Sequence, residues 1–158
     1  MRTLKNIMLA AILVAFIMPL PLAGQSKGTI LIASEKTGFK EALVAELESL
    51  LTGAGYAVVK VKHPKGGLDG YNASDYAAVF ITNSGVNSKV RPWVTEWIER
   101  NRASNAYILL HTTQIRDWKV ETPVDAVTSA SAKKEVKNLA REYFARITER
   151  LERTGTAR

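Results

Sequence analysis

The chain reads as an open α/β sheet of parallel strands with helices on both faces. Three observations predict it. Apolar runs and helical stripes alternate in the order strand, helix, strand, strand, helix, strand, strand, helix. The best strands are apolar on both faces, as central parallel strands must be when helices cover both sides. No internal repeat or linker divides the segment that follows residue 24.

The elements follow in order. Thr29 to Ala33 is the first strand, and Ser34 to Gly38 is polar. Phe39, Leu43, Leu47 and Leu50 then recur at helical spacing, and Gly53 and Gly55 stop that helix. Tyr56 to Val61 alternates as a second strand. Pro64, Gly66, Gly67 and Gly70 predict an irregular or single-turn crossover from Lys62 to Asp75. Ala77 to Ile81 is the third strand. Val90, Trp93, Val94, Trp97 and Ile98 mark a second helix with Pro92 in its first turn, and both tryptophans are expected in the core. Ala106 to Leu110 is a fourth strand, Thr112 to Thr122 a polar loop, and Val124 to Val127 a short fifth strand. Ser131 is the expected N-cap of a last helix bearing Val136, Leu139, Ala140, Tyr143, Phe144, Ile147 and Leu151. The tail from Arg153 is expected to fray.

Residues 1–24 are set apart. Arg2 and Lys5 precede an apolar run from Ile7 to Met18, and Pro19 to Gly24 adds helix breakers and small residues. That is the layout of a secretory signal peptide, too short to span a bilayer comfortably. It predicts export to the periplasm or beyond, with cleavage after Ala23 or Gly24, or retention as an N-terminal anchor. The domain proper is then residues 25–158, with no membrane span after cleavage. Losing residues 1–24 leaves 20 basic and 15 acidic residues, a net charge of +5. Such a surface suits anionic small molecules. The basic residues are spread along the chain rather than clustered with aromatics, so nucleic acid is not an expected partner. The chain contains no Cys and only two His, which excludes a thiol nucleophile, a Cys-ligated cluster and a His-rich metal site.

Open α/β sheets bind ligands beyond the carboxyl ends of their strands. This directs attention to loops Ser34–Lys40, Thr82–Asn87 and His111–Lys119. In the first, a helix start presents unpaired N–H groups and partial positive charge. Ser34 and Thr37 can donate hydroxyl hydrogen bonds, Gly38 permits close approach, and Lys36 and Lys40 can neutralise an anion. Glu35 reads as a loop residue, His63 as a turn residue, and His111 as a residue at the binding edge. A hydrolase using Ser34 or Ser84 lacks a base placed by the sequence.

The run Ile30-Leu31-Ile32-Ala33-Ser34-Glu35-Lys36-Thr37-Gly38-Phe39-Lys40 resembles the phosphate loop of the flavodoxin-like family, with Lys40 where the family usually has its last Thr. Asp75 to Ile81 and Val124 to Thr128 resemble the segments that lead into its third strand and its C-terminal helix. The resemblance implies a five-stranded sheet of order 2-1-3-4-5, some of its crossovers here shortened. It also implies FMN as cofactor, held by Ser34, Glu35, Lys36, Thr37, Gly38, Phe39 and Lys40 at the phosphate. Asn83, Ser84, Gly85, Val86, Thr112, Thr113 and Trp118 would lie at the ring. Electron transfer, or reduction of a small acceptor with a redox partner protein, would follow, with the chemistry the cofactor's own. Departures are visible too. The second loop lacks an aromatic, the third lacks glycines, and the charge is basic where flavodoxin shuttles are acidic. The other expectation is a non-catalytic binding or interaction module that kept the fold and lost the flavin.

Overall fold

A computed structural model describes residues 26–85, 89–104, 106–114 and 118–155. The signal segment expected at residues 1–24 lies outside them. The strands are β1 (Thr29–Ser34), β2 (Ala57–Lys62), β3 (Ala78–Ser84), β4 (Tyr107–Thr113) and β5 (Asp125–Ser129). The helices are α1 (Gly38–Gly53), α2 (Pro92–Asn101) and α3 (Val136–Gly155). All pairings are parallel, in the order β2-β1-β3-β4-β5.

The two-sided hydrophobicity of the strands is resolved by their alternation. Ile30 and Ile32 of β1 face one core with Phe80, Leu109 and the buried stripes of α1 and α3. Leu31 and Ala33 face the other, with Val79, Ile81, Leu110 and Trp97 of α2. The crossover after β2 is irregular apart from a 3₁₀ turn at Ala73–Asp75, and it seals the second core with buried Leu68 and Ala73. Trp97 is buried and donates its indole N–H to the Tyr71 carbonyl at 2.8 Å, which fixes that crossover on α2. Trp93, expected in the core, is half-buried and donates to the His63 carbonyl at 3.2 Å.

Some boundaries differ from expectation. The α1 stripe runs through Leu47 to buried Leu51, leaving Leu50 half-buried. Tyr56 precedes β2 and packs in the core, so the strand proper begins at Ala57. Ser131 does not cap α3. A 3₁₀ turn at Lys133–Glu135 leads into that helix, with Ala132 at its N-cap position and no capping side chain. The helix continues through Gly155, past the point where fraying is expected. Among the described residues, no helix is long and apolar enough to cross a membrane.

Leu47 is fully buried between α1, α3 and the sheet. Leu47→Ala is expected to cost about 2–5 kcal/mol of unfolding free energy, measured by urea denaturation. A cost under about 1 kcal/mol would contradict this packing.

Candidate functional site

The carboxyl ends of β1, β3 and β4 lie side by side, as the topology requires. Thr37 is the N-cap of α1, extended in backbone, and its Oγ1 accepts from the Lys40 N–H at 3.3 Å. The first helical bond runs from the Glu41 N–H to the Thr37 carbonyl. The N–H groups of Gly38 and Phe39 therefore begin the helix outside its ladder.

The turn before α1 is closed by an ion pair. Lys40 is only 1% exposed, because its position on α1 faces inward next to Phe39. Its Nζ pairs with Glu35 Oε2 and donates to Ser84 Oγ at 2.6 Å. The Ser84 hydroxyl donates in turn to Glu35 Oε2 at 2.7 Å. Arg91 Nε reaches the other Glu35 oxygen at 3.4 Å. The Glu35 N–H donates to Thr82 Oγ1 at 3.1 Å, so backbone and side chain of Glu35 both tie β1 to β3. Burial opposes ionisation of Glu35, but the hydrogen bonds from Lys40 and Ser84 outweigh it and hold the carboxyl below its ordinary range. Burial lowers the Lys40 ammonium, against the pull of Glu35.

The residues expected at this edge separate into groups. Glu35, Lys40 and Ser84 meet directly. Ser34 is buried, with its Oγ 3.5 Å from Lys62 Nζ. Lys36, Thr37 and Gly38 are exposed, whereas Phe39 turns into the core. Asn83 is buried and accepts the Arg91 N–H at 3.0 Å, which anchors the start of α2. Thr112 is buried and shares a hydrogen bond of 2.9 Å with Thr128 of β5, so its hydroxyl faces another strand. The Gly85 N–H donates to the Thr113 carbonyl at 2.9 Å. A Cβ on Gly85 would lie 2.9 Å from that carbonyl oxygen and 2.9 Å from Trp118 Cζ3. Trp118 thus closes onto the β3 loop, and only glycine fits beneath it. Val86 lies outside the described residues.

Both histidines are more deeply placed than their sequence contexts suggest. His63 is buried, and its Nε2 bonds the Thr82 carbonyl at 2.6 Å. His111 is fully buried beneath the edge rather than on it. Its Nδ1 is 2.7 Å from the Tyr143 hydroxyl, its Nε2 3.3 Å from Thr113 Oγ1, and Phe39 flanks the ring. Burial, with a smaller contribution from Lys40, pushes its pKa down to about 3, so the ring is neutral at ordinary pH.

The chain is similar in structure to a flavodoxin from the domain Archaea, with a TM-score of 0.52 and 13% identity over 78% of this chain and 99% of that one. It is also similar to flavodoxin 2 from Bacillus cereus, with a TM-score of 0.50 and 10% identity over 77% of this chain and 98% of that one. General stress protein 14 of Treponema denticola, solved in complex with FMN, has a TM-score of 0.45 and 10% identity, covering 77% of this chain and 98% of that one. No protein-family model matches, and no curated protein matches in sequence. The fold is flavodoxin-like.

Acid should unfold this arrangement in a defined order. His111 is depressed from an ordinary 6.5 to about 3, and burial lowers His63 as well. The unfolded chain therefore binds protons first, and stability falls as pH drops below 6.5. Glu35 is depressed below 4.5, so its contribution is present above that value and is lost as pH falls through its lower folded pKa. The urea midpoint should fall from about pH 6.5 downward, and His111→Gln should flatten the part above about pH 4.5. An unchanged slope in that variant would contradict the buried neutral ring.

Proposed function

We propose that this chain is an exported binding module that uses the flavodoxin-like scaffold without flavin. One observation carries this reading. The Glu35 carboxylate, held by Lys40 and Ser84, lies just ahead of α1, where the resemblance implies a phosphate. Lys40, the buried cation of this loop, is committed to Glu35 and Ser84 rather than left free for a phosphate. Trp118, the one aromatic expected at the ring, is closed onto Gly85. The residues present do not fit FMN as a flavodoxin would hold it.

A second reading, an FMN-binding electron carrier or reductase of a small acceptor, is supported by the exposed start of α1, with Lys36, Thr37 and Gly38 open to solvent. Export rests on the make-up of residues 1–24.

Titration with FMN, followed by quenching of flavin fluorescence with riboflavin as control, separates the two. The flavin-free reading predicts no saturable quenching at micromolar protein. Tight binding of FMN but not riboflavin would overturn it in favour of the electron carrier.

A further inference from the structure

We infer that the carboxyl edge of the sheet docks on an anionic lipid surface through its exposed lysines. This deepens the binding-module reading by naming its partner, and it rests on that reading, because a flavin would occupy the same edge.

The positive charge of the chain is gathered at this end. Lys36 follows β1, Lys65 follows β2, Lys89 and Arg91 follow β3, and Lys133 and Lys134 follow β5, so the parallel topology brings them to one edge. The five lysines are exposed. Among the described residues, the ion pairs of this edge are those of Lys40 and Arg91 with Glu35 and of Lys62 with Glu41, and the five lysines stand outside them. Glu135 is the remaining carboxylate, and it accepts from Asn138. The starts of α1, α2 and α3 lie at the same end and add partial positive charge. Away from the edge, acidic side chains outnumber basic ones among the described residues. The net charge is therefore a property of one face, not of the whole surface.

The arrangement selects a bilayer over other anions. The cations reach from the β2 side to the β5 side of the sheet, four strand spacings or about 19 Å, so one small anion cannot meet them. All but Arg91 are lysines, point charges on flexible stems, which suit a fluid layer of headgroups better than a fixed carboxylate geometry. A tight protein interface needs aromatic anchors, and those of this edge are engaged. Phe39 is in the core, Trp93 donates to the His63 carbonyl, and Trp118 covers Gly85. Ser26 enters β1 from the opposite end of the sheet, so docking by this edge turns that end away from the bilayer. That orientation suits a chain cleaved after Ala23 or Gly24.

The test is co-sedimentation of the chain from Gln25, which contains every residue of both cores, with lipid vesicles. It should bind vesicles of equal parts phosphatidylcholine and phosphatidylglycerol, not phosphatidylcholine alone, and more weakly as salt rises. The triple variant Lys36→Glu, Lys65→Glu, Lys133→Glu should partition at least about tenfold less, with its urea midpoint near the wild type. A second triple variant, Lys27→Glu, Arg102→Glu, Arg150→Glu, removes the same charge from the amino end. That end is one strand length away, about 20 Å or about two Debye lengths at 0.1 M salt, so partitioning should fall by no more than about threefold. Absent binding to the mixed vesicles, equal binding to neutral ones, or equal losses in the two variants would each overturn the proposal. Retention on immobilised polyglutamate without vesicle binding would assign the edge to an acidic protein and overturn it too. The flavin titration reads separately: saturable FMN binding would overturn the flavin-free reading, whereas absent vesicle binding without FMN binding would overturn the docking alone.

Discussion

The ion pair between Lys40 and Glu35 is the constraint on which the working edge depends. A lysine on the inward face of a helix cannot stay charged without acceptors, because an isolated buried ammonium is costly. Here it finds a carboxylate and a hydroxyl from two other segments, Glu35 after β1 and Ser84 at the end of β3. The same contacts fix the turn between β1 and α1, orient the end of β3, and through Arg91 hold the start of α2. His111 lies beneath them, and Lys40 contributes to keeping its ring neutral. One buried charge thus ties together the turn before α1 and the end of β3, and adds to the burial that keeps His111 neutral.

Much of the fold is legible in the sequence for simple physical reasons. Strands apolar on both faces need two cores, and Ile30 and Leu31 do face opposite ones. Gly and Pro after β2 do exclude a long helix there. The errors are local. Leu50 and Leu51 differ by one step around the helix, and propensity alone does not say which faces in. Ser131 is a good capping residue in a place where a 3₁₀ turn already supplies the start of α3.

The site was less legible because it is made of long-range contacts. Lys40 reads with Lys36 as a cation available to an anion, and only its place in the Phe39–Leu43 stripe hints at burial. Glu35 and Lys40 are five apart on either side of a Thr-Gly helix start, a spacing compatible with pairing across the turn, but Ser84 and Arg91 enter from 49 and 56 residues away. His63 precedes a proline and looks like a turn residue; the β3 carbonyl that holds it is 19 residues on. Fold likeness at 10–13% identity says nothing about such side chains, and a shared scaffold does not carry function with it.

The central claim is that Glu35 and Lys40 are energetically one unit, and a double-mutant cycle tests it most directly. Unfolding free energies would be measured in urea for the wild type, Glu35→Gln, Lys40→Met and the double variant. Glu35→Gln should cost about 3–5 kcal/mol by leaving the Lys40 ammonium buried without its carboxylate, Lys40→Met should cost less because Arg91 and Ser84 still hold Glu35, and the double variant should cost less than the two single effects added together. Single effects that simply add, with no coupling between the two positions, would contradict the account.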